Sequence, residues 1–290
     1  MKRAKNFFYK RLIWYFIGFL LFYAPVAAFQ RGLALILHTE GNHNIHTTCF
    51  RCGILGITGG IEMDILSTRG ISIIFLLLIS FLLGPVFCRY FCVAGALTEC
   101  LSRIMPDSLK VRWHEHINPV PIKYGILTGF LITPFLGFSV VCAYCNLSLS
   151  ERIILGTSDL DIGVLSSANI LTMVIWLTIL GAFTKGGRGF CSYLCPVGAA
   201  QILMHSIGSK LKFTYKLKLI AERCSLCGVC TTKCPMGALY LTNQGLRHQI
   251  HNCITCNECV NACSKAALIY GPSLDDNELI ERQYHFIEKG

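Results

Sequence analysis

The chain has 290 residues, 53% of them hydrophobic and 14% charged, with a formal net charge of +10 and 17 cysteines. That charged fraction lies well below the roughly 25% usual for soluble domains, and the length suits one or two domains. The basic excess does not point to nucleic acid, because no soluble basic face with a reading element accompanies it.

From the N-terminus onward, four apolar segments stand out: Leu12–Phe29, Ile71–Phe87, Tyr124–Cys142 and Ala168–Thr184. Each approaches the roughly 20 residues that a helix needs to cross a bilayer core. They predict an α-helical integral membrane domain of four transmembrane helices over residues 1–212. The first segment lacks a small-residue cleavage site close behind it, so it reads as a span rather than a signal peptide. Lys2, Arg3, Lys5, Lys10 and Arg11 precede the first span. Arg89, Arg103, Lys110, Arg112 and Lys123 lie between the second and third, and Lys185, Arg188, Lys210, Lys212, Lys216 and Lys218 follow the fourth. By the positive-inside rule both termini are then cytoplasmic, in a multi-pass protein of a bacterial or archaeal cytoplasmic membrane. None of the histidines lies inside a span, which argues against a bis-histidine haem within the bilayer.

The membrane part carries an internal repeat. Gly84-Pro-Val-Phe87-Cys88-Arg-Tyr90-Phe-Cys92-Val-Ala-Gly95-Ala96 and Gly187-Arg-Gly-Phe190-Cys191-Ser-Tyr193-Leu-Cys195-Pro-Val-Gly198-Ala199 share seven identities at an offset of 103. Cys49-Phe-Arg-Cys52 and Cys142-Ala-Tyr-Cys145 form a second matched set. The unit therefore reads as span, outer C-x2-C, span, inner C-x3-C, used twice. Parallel repeats pack around a pseudo-axis, which would gather Cys88, Cys92, Cys191 and Cys195 into an inner quartet and Cys49, Cys52, Cys142 and Cys145 into an outer one. Four thiolates suit zinc or an iron–sulfur cluster. The outer set equally suits cluster, metal or disulfide chemistry. Neither outer pair is followed by histidine, so covalent c-type haem is not indicated. The segments after the inner motifs, Val93–Met105 and Val197–Leu211, have the spacing of short amphipathic helices.

Eight further cysteines carry the strongest signal. Cys224, Cys227, Cys230 and Cys234 repeat their spacing in Cys253, Cys256, Cys259 and Cys263. This C-x2-C-x2-C-x3-C pattern binds two [4Fe–4S] clusters, the fourth cysteine of each run ligating the other run's cluster. Cys224, Cys227, Cys230 and Cys263 are expected on one, and Cys253, Cys256, Cys259 and Cys234 on the other. Zinc favours paired C-x2-C units with a longer spacer. An α+β bacterial 2[4Fe–4S] ferredoxin domain is thus predicted over 213–272, with strands near Ala238–Thr242 and Arg247–Ile250. A tail over 273–290 holds a predicted helix at Asp275–Glu288. Cys100 stands outside every set. No Walker motif, G-x-G-x-x-G or catalytic triad is present, so nucleotide chemistry is not supported.

On these motifs, above all Cys191-Ser-Tyr-Leu-Cys195-Pro196 and Cys224 through Cys263, the chain resembles the NapH-type membrane ferredoxin subunits, with NosR- and CcoG-type proteins as relatives. The resemblance implies electron transfer between the quinol pool and a partner redox enzyme, such as a periplasmic reductase or a cytochrome. Its cofactors would be two [4Fe–4S] clusters, one or two further iron–sulfur or metal sites and a quinone, and its surroundings membrane lipid and the other subunits of a redox complex. Val93 stands where the family motif has proline, and the outer pairs are not part of the NapH pattern. Copper handling or maturation, and thiol-based redox sensing, are the competing readings.

Overall fold

The computed structural model describes residues 2–23, 26–38, 67–133, 135–136, 144–155, 167–243 and 245–272. Helices α1 (Lys2–Phe22) and α2 (Ala28–Leu37) are followed by α3 (Thr68–Leu83), a π-helical turn at Phe87–Phe91 and α4 (Val93–Ile104). Next come a single helical turn α5 (Trp113–His116), α6 (Pro119–Ile132), α7 (Asn146–Leu155) and α8 (Ser167–Met173), which continues as π-helix through Val174–Ala182. Helices α9 (Gly189–Tyr193) and α10 (Pro196–Gly208) close the helical part. The remainder is β1 (Lys216–Leu219), α11 (Val229–Lys233), β2 (Leu239–Thr242), β3 (Gly245–His248), α12 (Glu258–Ala262) and β4 (Leu268–Gly271).

The expectation of four membrane-crossing helices is corrected. Among the described residues no helix is long and apolar enough to cross a membrane. The physical reasons differ from segment to segment. Helix α1 has 21 residues, but Lys2, Arg3, Lys5, Lys10 and Arg11 occupy its first half. It ends at Phe22, just short of Pro25, whose ring disfavours helix in the residue before it. Helix α3 starts on Ser67, whose hydroxyl accepts from Gly70 N at 3.2 Å, and stops at Gly84 with φ 73°. Its 16 residues reach about 24 Å at 1.5 Å per residue, against a hydrocarbon core of about 30 Å. Helix α6 has 14 residues. The fourth segment begins within a seven-residue α-helix, Ser167–Met173, before the π winding takes over. Apolar composition marked these segments, but the winding and the stops decide their length.

The C-terminal part has two small antiparallel sheets. β1 pairs with β4 in the register Leu217↔Tyr270 and Leu219↔Leu268, and β2 pairs with β3 as a hairpin with Leu241↔Leu246. Leu217, Leu219, Leu239, Leu246, Ala267 and Leu268 form its core with Cys259. The two cysteine runs are wrapped alike. Leu226, Gly228 and Gly237 adopt positive φ, and so do Thr255, Asn257 and Ala266 at the equivalent places of the second run. This unit is fastened to the helices rather than tethered. Tyr215 N donates to Leu82 O at 2.8 Å, the Tyr270 hydroxyl donates to Leu83 O, and the Ser192 hydroxyl meets Met236 Sδ at 3.5 Å. One hydrophobic core runs across the junction, joining Phe87, Trp176, Phe190 and Ile202 to Met236, Ile254 and Cys256.

Two histidines at this junction give stability a pH dependence. His205 on α10 and His248 on β3 are 1% and 7% exposed. Burial, with Lys216 adding to it, pushes His205 down to about 4. Burial, with His205 adding to it, pushes His248 down to about 3. The unfolded chain takes up these protons near pH 6.5 and the folded chain does not, so stability is full above that value and falls as pH drops. At pH 5 the loss is about 2 kcal/mol for each histidine. Denaturant midpoints at pH 7 and pH 5 should show it, and His205→Gln should remove about half of the difference.

Candidate iron–sulfur sites

The inner motifs fold alike. In the first, Cys92 N donates to Phe87 O at 2.9 Å; in the second, Cys195 N donates to Phe190 O at 3.0 Å. Each second cysteine then caps the helix that follows. Cys92 Sγ accepts from Gly95 N, and Cys195 Sγ accepts from Gly198 N, both at 3.4 Å. A sulfur at a helix N-terminus sits where the helix dipole favours negative charge. Pro196 takes the first position of α10, where its missing N–H costs nothing. Val93 fills the same place in α4, so the departure from the proline motif leaves the geometry intact.

Cys88, Cys92, Cys191 and Cys195 are all buried, at 4–6% exposure, within one core. Burial and then their mutual electrostatics raise the Cys88, Cys92 and Cys195 thiols above their ordinary value. Gln201 Nε2 donates to Cys88 Sγ at 3.5 Å, and Arg188 Nη1 lies 4.0 Å from Cys191 Sγ and 3.3 Å from Cys88 O. The two repeats thus bring their inner cysteines together. Of the outer set, Cys49, Cys52 and Cys142 lie outside the described residues, and Cys145 is buried at the start of α7. Cys100 is half-buried on α4.

In the C-terminal unit two cavities are lined by cysteine. One is walled by Cys224, Cys227, Cys230 and Cys263 with Leu219, Leu241, Leu246 and Leu268. The other is walled by Cys234, Cys253, Cys256 and Cys259 with Leu217, Met236 and Ile254. Each run therefore completes its wall with the fourth cysteine of the other. Backbone N–H groups point at the sulfurs: Ala238 N to Cys234 at 3.2 Å, Ala267 N to Cys263 at 3.3 Å and Thr255 N to Cys253 at 3.4 Å. Among the described residues no three His, Cys, Asp or Glu side chains are set to grip a single metal ion. The cysteines stand around apolar cavities instead of meeting at a point, which fits a multi-iron cluster better than a mononuclear site. At the first cavity Cys227 is exposed, whereas Met236, Ile254 and Cys256 of the second belong to the core shared with the helices.

Sequence reasoning missed the charges beneath these sites. Arg11, Lys123 and Arg188, read above as markers of membrane topology, are 0–1% exposed. Arg188 donates to Glu99 through Nε at 3.2 Å and Nη2 at 3.1 Å. Arg11 donates to Glu99 at 3.1 Å and to Glu258 at 2.8 Å. Both arginines also reach the Tyr15 hydroxyl. Lys123 Nζ donates to Asn252 Oδ1 at 2.8 Å and to His251 O at 3.1 Å. Burial first, against the pull of Cys191, Cys195, Cys88 and Cys253, lowers Lys123 to about 8. The available signal was local: Arg188 abuts the second inner motif, and Glu258 sits inside the second cysteine run.

Comparison with known proteins finds 4Fe-4S families over these segments. The family model described as a 4Fe-4S binding domain matches residues 68–112 and 168–214, the two repeats with their inner cysteines. The one described as a 4Fe-4S dicluster domain matches 216–264. The chain is 25% identical over 206 residues to an uncharacterized protein of Methanocaldococcus jannaschii, covering 69% of this chain and 77% of that one. It is 25% identical over 226 residues to the ferredoxin-type protein NapH of Haemophilus influenzae, covering 73% and 70%. Against the regulatory protein NosR of Pseudomonas aeruginosa it is 26% identical over 178 residues, 59% of this chain but only 23% of NosR. No solved structure matches. Cysteine-walled cavities and matched cluster-binding domains define an iron–sulfur protein of electron transport. Within that class, the chain is similar to the NapH- and NosR-type ferredoxin proteins.

Proposed function

We propose that the chain is an electron-transfer subunit with three iron–sulfur sites, serving a partner redox enzyme. Cys224, Cys227, Cys230 and Cys263 would hold one [4Fe–4S] cluster, and Cys253, Cys256, Cys259 and Cys234 a second. Cys88, Cys92, Cys191 and Cys195 would hold a third centre. Bound clusters of this kind supply one-electron transfer. The chain's own part is to bury the sulfurs, aim backbone N–H groups at them and keep two sites in a common core while the third meets solvent. The observation that carries this reading is the exchange of fourth cysteines between the two cavities.

The exposed rim around Cys227, with Leu226 52% and Val229 40% exposed, is the face that a partner protein would meet. A quinol as the other redox participant rests on the resemblance to NapH-type subunits alone. Cytoplasmic placement of the dicluster unit belongs to the same proposal, since a reducing compartment keeps its thiols available to iron.

Iron and sulfide content with electron paramagnetic resonance on anaerobically purified chain tests the reading. The expected result is about twelve irons per chain, four for each four-iron site. About eight would remove the third centre, and stoichiometric copper would assign the inner quartet to metal handling. Colourless, iron-free protein that still passes electrons would overturn the whole reading.

A further inference from the structure

We infer that the buried network Arg188–Glu99–Arg11–Glu258 sets the redox balance between the inner quartet and the second cysteine run, Arg188 acting on the first and Glu258 on the second. The inference rests on the reading that both sites hold iron. Its ends are specific. Arg188 is fully buried, 4.0 Å from Cys191 Sγ, and faces Cys88 O. Glu258 lies between Cys256 and Cys259 in the chain, and it and Arg11 both act electrostatically on Cys256. Between these ends every link is an ion pair of 3.2 Å or less with Glu99 at the centre.

The repeats themselves mark Arg188 as more than packing. Its counterpart at the offset of 103 is Pro85, so a single guanidinium serves a site built from two matching halves. Gly95 makes room for it: a Cβ at that position would fall 2.0 Å from Arg188 Nη1. A positive charge held beside a cluster favours the reduced, more negative state, and burial strengthens the effect because little water screens it. A negative charge at Glu258 acts in the opposite sense on its neighbour. Arg188 would thus make the quartet easier to reduce, while Glu258 offsets the opposite pull that its partner Arg11 exerts on the second run.

The test is a potentiometric titration, followed by electron paramagnetic resonance, of the full cluster-loaded chain. Arg188→Gln should shift the quartet's reduced-to-oxidised ratio at fixed potential about tenfold toward oxidised, which is 59 mV for one electron. The signal of the Cys224 run should stay where it is. Glu258→Gln, which keeps the side-chain shape, should move the second run's signal the opposite way. Arg188→Lys should recover most of the quartet shift, because it restores charge without the two-pronged pairing to Glu99; a merely structural arginine would show no such rescue. Unmoved potentials in iron-replete variants would overturn the inference. Should Arg188→Gln fail to load iron, Arg188→Lys and Glu258→Gln still decide it. About eight irons in the unaltered chain would refute the three-site reading, and the Arg188 arm with it. The Glu258 arm then stands or falls on the second run's potential alone.

Discussion

Cys263→Ser should strip the cluster from the first cysteine run and leave the second in place, while Cys234→Ser should do the reverse. Each change is expected to remove about four irons per chain. The crossing follows from the cavities, since Cys263 walls the site of Cys224, Cys227 and Cys230, and Cys234 walls that of Cys253, Cys256 and Cys259. Stability should separate the two variants. The first cavity is walled by the exposed Cys227, whereas the second adjoins Met236 and Ile254 in the core shared with the helices. Cluster binding is folding free energy where the site forms only in the folded chain. Cys234→Ser should therefore lower the thermal midpoint more than Cys263→Ser does. Iron analysis with thermal melts on both variants checks the pair, and loss of the same cluster from both would refute the crossed arrangement.

Glu99→Ala should be among the most destabilising single changes outside the cysteines. It leaves Arg11 and Arg188, both 0–1% exposed, without their shared carboxylate. Removing one member of a buried ion pair costs about 3–5 kcal/mol, because a charge stays buried uncompensated. Arg103→Gln is the comparison: its side chain is 45% exposed in its pair with Glu99, and such exposed pairs contribute about 1 kcal/mol or less. Denaturant unfolding of both variants measures the contrast. Burial alone would push the Glu99 carboxyl up, but Arg11, Arg188 and Arg103 more than offset this and hold it below its usual range. Its stabilisation is thus complete above the ordinary glutamate value of about 4.3 and disappears as pH falls through the lower folded value.

The parts legible in the sequence are those fixed by local spacing. Cluster ligands must sit a few residues apart, so the two runs declared themselves, and their hairpin lies at Leu239–Thr242 and Gly245–His248, within a few residues of the expected strands. The repeat around Cys88 and Cys191 was equally visible, and Val93–Ile104 and Pro196–Gly208 are the helices expected after it. Illegible were features made by distant partners. Arg11 meets Glu258 across 247 residues and Glu99 across 88, so its burial leaves no trace in its neighbours, and a count of flanking cations misread it. Hydropathy windows likewise registered the apolar runs but not the left-handed Gly84 or the π winding after Met173 that limit their helices.

The exchanged cysteines also bear on how the protein is made. A ribosome that has delivered Cys224, Cys227 and Cys230 has not yet delivered Cys263, and the second run is equally incomplete until Cys259 emerges. Neither of these two cavities can close around iron until the last of its four cysteines has left the exit tunnel, so a product terminated before Cys259 carries their thiols but neither finished site.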